Sequence, residues 1–239
     1  MENYQKILQK KEKVIINEEE FKQNHREFYL SIGDEVNNDK GVFSYENNDL
    51  KLEIVTEKFY LSDIEDENRR FSLLGILNSP EDYLLIKNYI LKNKESELNI
   101  SNELKDLIVV INKNSRGSLP IGQFFKHFNL IRLNSEISTP EGILTFFHEI
   151  GHFKDIDLDN TDKLLQDLRM KSALNPDDKV IHNQISAVEI KEERAAWAYA
   201  INKLRPFIGG LGVSEDGVKD FVHKFLLGSY CKDISDSQS

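Results

Sequence analysis

Cysteine is nearly absent from this chain. Its one representative, Cys231, leaves nothing to pair with and excludes an internal disulfide framework. Basic charge is also short. Lys and Arg number 31 against 41 Asp and Glu, and the net charge of -10 excludes a general nucleic-acid binder, which needs a basic face. No apolar run is long enough to span a bilayer. The opening Met1-Glu-Asn-Tyr-Gln-Lys6 leads into mixed charges without an apolar segment of the kind a signal peptide carries. These absences predict a cytoplasmic protein with no membrane partner and no direct nucleic-acid partner. What is present is 39% hydrophobic and 30% charged residues, the balance of a soluble globular chain long enough for one large domain or a domain with a smaller companion.

The chain is organised around Thr139-Pro-Glu-Gly-Ile-Leu-Thr-Phe-Phe-His148-Glu149-Ile-Gly-His152-Phe153. Positions four apart lie one above the other on a helix, so His148 and His152 can turn two imidazoles toward one cation. Glu149 reaches the same side and can deprotonate a water activated there, the arrangement of a His-Glu-x-x-His zinc site. The flanks supply the helix. Ser138 or Thr139 can cap it, Pro140 suits its first turn, and Glu141 complements its positive end. Ile143, Phe146, Phe147, Ile150 and Phe153 form an apolar stripe beside the histidines, and Gly151 leaves room for a close neighbour.

Along the chain, residues 1 to about 30 read as polar helices. Gly41–Tyr45 and Leu50–Val55 alternate around a polar turn and predict a hairpin. Residues 63–68 read as an acidic loop. Ser79-Pro80-Glu81-Asp82 reads as a cap opening a helix through about Lys92, with Tyr83, Ile86, Tyr89 and Ile90 on one side. The polar stretch 93–102 suggests a boundary between an N-terminal region, 1–100, and a second domain, 101–230, followed by a polar tail, 231–239. Leu107–Ile111 predicts a buried strand, 112–122 a loop, and Phe128–Asn134 a strand that could be the edge on which an extended substrate adds. Asp155 and Asp157 alternate as in a calcium loop, but Asn160 and Gln166 occupy the positions that need glycine and glutamate, so a solvated turn is expected. Helices are expected over about 162–170, 184–204 and 215–227.

A catalytic zinc takes three protein ligands. Asp155, Asp157, His182, Glu189, Glu192, Glu193 and His223 are candidates for the third. Helix-face geometry alone leaves Glu193, Glu192 and Glu189 open. Glu193-Arg-Ala-Ala196-Trp197-Ala-Tyr199-Ala200, with Leu204-Arg-Pro206, resembles the second motif of the ImmA/IrrE-type zinc peptidases, approximately Glu-x-x-Ala-Asn-x-Phe-Ala ending in Leu-Met-Pro. The resemblance covers roughly Leu104 to Pro206. It implies that Glu193 joins His148 and His152 on Zn²⁺, with Glu149 as general base. It also implies an α+β, zincin-like domain built of a small mixed sheet, the active-site helix and a second ligand-bearing helix, preceded by an N-terminal α/β extension. Trp197 stands where that family often has asparagine, and Arg205 replaces an apolar residue. The activity implied is zinc-dependent hydrolysis of a protein substrate, of which a transcriptional repressor is one class. The alternative is a non-catalytic zinc-binding interaction protein on the same fold. His182, His223, Tyr199 and Tyr230 are candidates for a second oxyanion donor.

Overall fold

A computed structural model describes residues 40–46, 49–77, 83–112, 122–134, 139–155 and 158–230. The expected helices before residue 31, the cap at 79–82, Asp157 and the polar tail fall outside the described residues. Among the described residues seven strands form one sheet: β1 (Lys40–Glu46), β2 (Lys51–Lys58), β3 (Tyr83–Lys92), β4 (Glu97–Asn99), β5 (Ile108–Asn112), β6 (Gly122–Phe125) and β7 (Leu130–Asn134). The helices are α1 (Glu67–Leu77), α2 (Pro140–Lys154), α3 (Leu158–Leu174), α4 (Lys179–Leu204) and α5 (Glu215–Tyr230). The class is α+β. No helix among the described residues is long and apolar enough to cross a membrane.

The strand order is β1-β2-β3-β5-β7-β6, with β4 pairing the end of β3. Every pairing is antiparallel except that of β5 with β7. Strands from both sides of the boundary expected near residue 100 therefore belong to one sheet. Both its faces are covered. Along β5, Val109 and Ile111 enter the main core with α2 and α4, while Val110 faces Leu73 and Leu77 of α1. Burial on both faces is why Leu107–Ile111 is a continuous apolar run rather than an alternating one.

Three expectations need correction. The predicted helix over 79–92 is strand β3 from Tyr83 onward. Ile86 and Tyr89 are three residues apart yet share the main core. The register explains it: Thr56 opposes Ile86 while Val55 opposes Asn88, so Lys87 is an extra residue in a bulge. That bulge changes the face of the alternation and counterfeits helical spacing. The predicted acidic loop runs into an unforeseen helix, α1, whose Arg69 amide bonds Asp66 at 3.1 Å. Arg69 Nη2 also donates to the Phe128 carbonyl at 2.6 Å, which ties α1 to the turn before β7. Finally, the strand over 128–134 begins at Leu130 and is not the edge. β6, which starts at the last residue of the expected loop and runs through residues given no element, pairs along it and takes that place among the described residues.

The remaining elements follow the sequence with longer limits. The hairpin forms in register, with Val42 opposite Val55. The short helix expected at 162–170 is the middle of α3, which runs from Leu158 to Leu174. The long helix begins at Lys179, because the Asp178 carboxylate accepts from the amides of Val180 and Ile181 at 2.9 and 3.3 Å. In α2, Thr139 is the cap, and its hydroxyl accepts from Gly142 N at 2.9 Å. The side chain is 1% exposed, so no water can replace it readily. Thr139→Ala is expected to destabilise the protein by about 1 kcal/mol in urea titration. An unchanged midpoint would mean that α2 starts without its cap.

Candidate metal centre

The site is set by how closely two helices cross. Gly151 of α2 lies against the backbone of Ala196 in α4. A Cβ at Gly151 would sit 2.7 Å from Ala196 O and 2.8 Å from its Cα, closer than real atoms come. Glycine in a helix interior costs about 1 kcal/mol against alanine. Here it is required, because only a missing side chain lets the axes approach. Gly151 lies between His148 and His152, and Ala196 lies one turn after Glu193. The contact therefore holds Glu193 over both imidazoles.

His148 Nε2 and His152 Nε2 are 3.1 Å apart. Glu193 Oε2 lies 3.2 Å from the first, and Oε1 lies 3.5 Å from the second. One ligand atom from each of the three residues lies within 4.8 Å of the others, close enough for all three to hold one ion. Among the described residues this is the one His/Cys/Asp/Glu group able to hold a metal ion. A calcium ion, with oxygen ligands at 2.3–2.6 Å, fits neither the nitrogen donors nor the spacing.

The electrostatics are those of a coupled cluster. Burial pulls the His148 imidazole below its ordinary value. Burial opposes charge on His152 as well, but the hydrogen bond its ring donates to Glu193 and the carboxylates of Glu149, Glu193 and Glu192 outweigh it and push that imidazole up. Burial works against the Glu193 carboxylate, yet its hydrogen bonds with both histidines hold it well below the usual carboxylate range. Glu149, 7% exposed, is driven by burial up to about 7. A cation at the three donor atoms would draw it down again, since opposite charge favours the ionised form.

Edge strand β6 forms the other wall. A Cβ on Gly122 would lie 2.9 Å from Glu149 Cγ and 3.0 Å from Thr145 Cγ2, so the strand can come this close only as glycine. The Phe124 amide donates to the Glu149 carboxylate. Arg132 on β7 steadies β6 from behind: it donates to Gln123 Oε1 at 2.8 Å and to the Ile76 carbonyl of α1 at 3.0 Å, and it lies over the Phe125 ring at 5.2 Å. The cleft between β6 and the helices has a volume of about 430 Å³ and is also lined by Lys126, Asp162 and Glu192. Lys126 and Asp162 form an ion pair. Beneath the site, Trp197 stacks on the His148 ring, with centroids 4.1 Å apart and planes 24° from parallel.

Of the residues singled out in the sequence, the structure brings together His148, Glu149, His152 and Glu193. Glu192 lines the cleft without joining the donors. Glu189 is bound by Arg169 at 2.8 Å, and Asp155 ends α2 outside the donor group. Of the expected oxyanion donors whose side chains are described, none is brought into the cleft: His182 Nε2 bonds Pro176 O at 2.8 Å, His223 is exposed on α5, and Tyr199 packs at the core margin beneath Lys203. The Tyr230 side chain is outside the described residues. Sequence reasoning missed Gly122, Phe124, Lys126 and Asp162. Only the pair Phe124-Phe125 after Gly122 hinted at a strand there. No family model, curated protein or solved structure matches the chain.

Two outcomes are expected. Glu193→Ala should weaken metal binding far more than Glu192→Ala, measured by competition with a chromophoric chelator; the reverse order would move the ligand by one residue. In the metal-free protein the raised His152 value means a proton that an arriving cation must expel. Affinity should be highest above that value and fall as pH drops through it. Calorimetry near pH 7 in buffers of different ionisation heat should therefore register proton release, to which Glu149 also contributes as the cation draws its value down; a buffer-independent heat would mean that neither group gives up a proton.

Proposed function

We propose that this chain is a zinc-dependent peptidase. The observation that carries the reading is the position of Glu149. A structural zinc site has no use for a buried carboxylate beside its donors, whereas a hydrolase needs one there. His148, His152 and Glu193 would hold the ion, leaving one position open to the cleft. When bound, zinc would polarise the scissile carbonyl and acidify water.

The chain's own residues supply the rest. Glu149 is buried beside the donors and lines the cleft, so it can act as general base on water held there. It takes a proton from the attacking water while the oxygen adds to the carbonyl carbon. It then delivers that proton to the amide nitrogen, the carbon–nitrogen bond breaks, and a carboxylic acid and an amine leave. β6 is the outer strand of the sheet among the described residues and runs along the cleft, where a peptide in extended form can pair with it through its backbone. Lys126 is the one cationic side chain lining the cleft among the described residues. The ligand order resembles that of the ImmA/IrrE-type peptidases, and on that ground a regulatory protein such as a transcriptional repressor is the proposed substrate class.

Glu149→Gln tests hydrolysis against mere binding. The amide keeps the size and leaves the donors in place, so zinc content by elemental analysis should stay near one per chain. Cleavage of candidate repressors should fall by at least ~10², the scale of lost general acid–base catalysis. A variant that keeps zinc and full activity in cells would leave a non-catalytic interaction protein as the answer.

A further inference from the structure

We infer that Trp197 is a positioning residue for the metal: it fixes the ring plane of His148 by stacking, so that Nε2 points at the cation. The inference rests on the zinc reading above and extends it to a residue that touches neither metal nor substrate.

A histidine ring turns about a broad, soft torsion, so a ligand imidazole needs something beyond its rotamer to hold its plane. A hydrogen bond from the second ring nitrogen commonly does this. Here a whole aromatic face lies on the ring. The centroids of Trp197 and His148 are 4.1 Å apart with planes 24° from parallel. The edge of His152 closes another side, at 4.6 Å and 79°. Rotation of the His148 ring would drive its atoms into the indole.

The indole is itself held. It is 1% exposed, and Phe221 of α5 meets it edge-on at 5.8 Å and 83°. Its backbone neighbour Ala196 is the residue pressed against Gly151, so α4 cannot rotate to withdraw it. A flat surface constrains the ring's tilt and leaves rotation within the plane free. That remaining freedom is the one Glu193 limits through its contact with His148 Nε2 at 3.2 Å.

Trp197 is the chain's single tryptophan, which makes the test direct. Zn²⁺ is titrated into the full-length metal-free protein while tryptophan emission and chelator competition are recorded together. The wild type should bind one equivalent with an emission change that saturates at the same point. Trp197→Phe keeps an aromatic face and should stay within a few-fold of wild-type affinity. Trp197→Leu should lose at least ~10-fold, the lower end of the cost of removing a group that orients a metal ligand. Leu204→Ala, in the same helix and buried away from His148, reports what loss of stability alone does and should leave affinity unchanged. Equal affinities for wild type and Trp197→Leu, or an equal loss in Leu204→Ala, would overturn the positioning role. Should Trp197→Leu not fold, zinc binding to the wild type without an emission change would overturn the stack itself. Failure of the wild type to bind zinc at all would instead remove the metal reading beneath it.

Discussion

The contact between Gly151 and the Ala196 backbone is the constraint on which the site depends. Two histidines on one helix need only local geometry, but a third donor from another helix needs a fixed separation of axes. Helices that meet through ordinary side chains lie 8–10 Å apart. Removing one side chain at the crossing allows a closer approach, and the ligand distances of 3.1 to 3.5 Å are its consequence. The aromatic layer supports it from beneath. Tyr89 of β3 meets Phe146 and Phe147 at 5.1 and 5.6 Å, and this anchors α2 on the sheet.

Around that crossing the charges are arranged so that each needs the others. Glu193 ionises readily because two imidazoles face it, and His152 takes up a proton more readily because it bonds Glu193 and has further carboxylates around it. Glu149 lies at the dry end, where burial alone would keep it protonated. The same carboxylate is clasped by β6, so the strand that could receive a peptide also positions the residue that could act on it. Gly122 is where these demands meet, since a larger residue would separate strand from helix.

Much of the site was legible because its signals are local. His148, Glu149 and His152 lie within two turns of one helix whose cap, first-turn proline and apolar stripe are contiguous in the chain. Glu193 was singled out with the help of a pattern on α4, because helix-face geometry ranked it first but left Glu192 and Glu189 open, and their fate depends on partners such as Arg169. The sheet was harder to read. A bulge at Lys87 gave β3 the spacing of a helix. β6 is four residues long, and nothing in its composition tells that it lies at an edge; strand order is a long-range property. The wall of the cleft formed by Gly122, Phe124 and Lys126 was lost with it.

Seen as covalent architecture, the chain has nothing to tie distant segments together, since it has one cysteine. His152 and Glu193 are separated by about 40 residues, all of α3 among them. An ion held by both would act as a reversible cross-link closing that loop. In the chain-entropy account, closing a loop of this size takes on the order of 4 kcal/mol of freedom from the unfolded chain. Metal supply would then set how long the protein survives unfolding as well as what it can do.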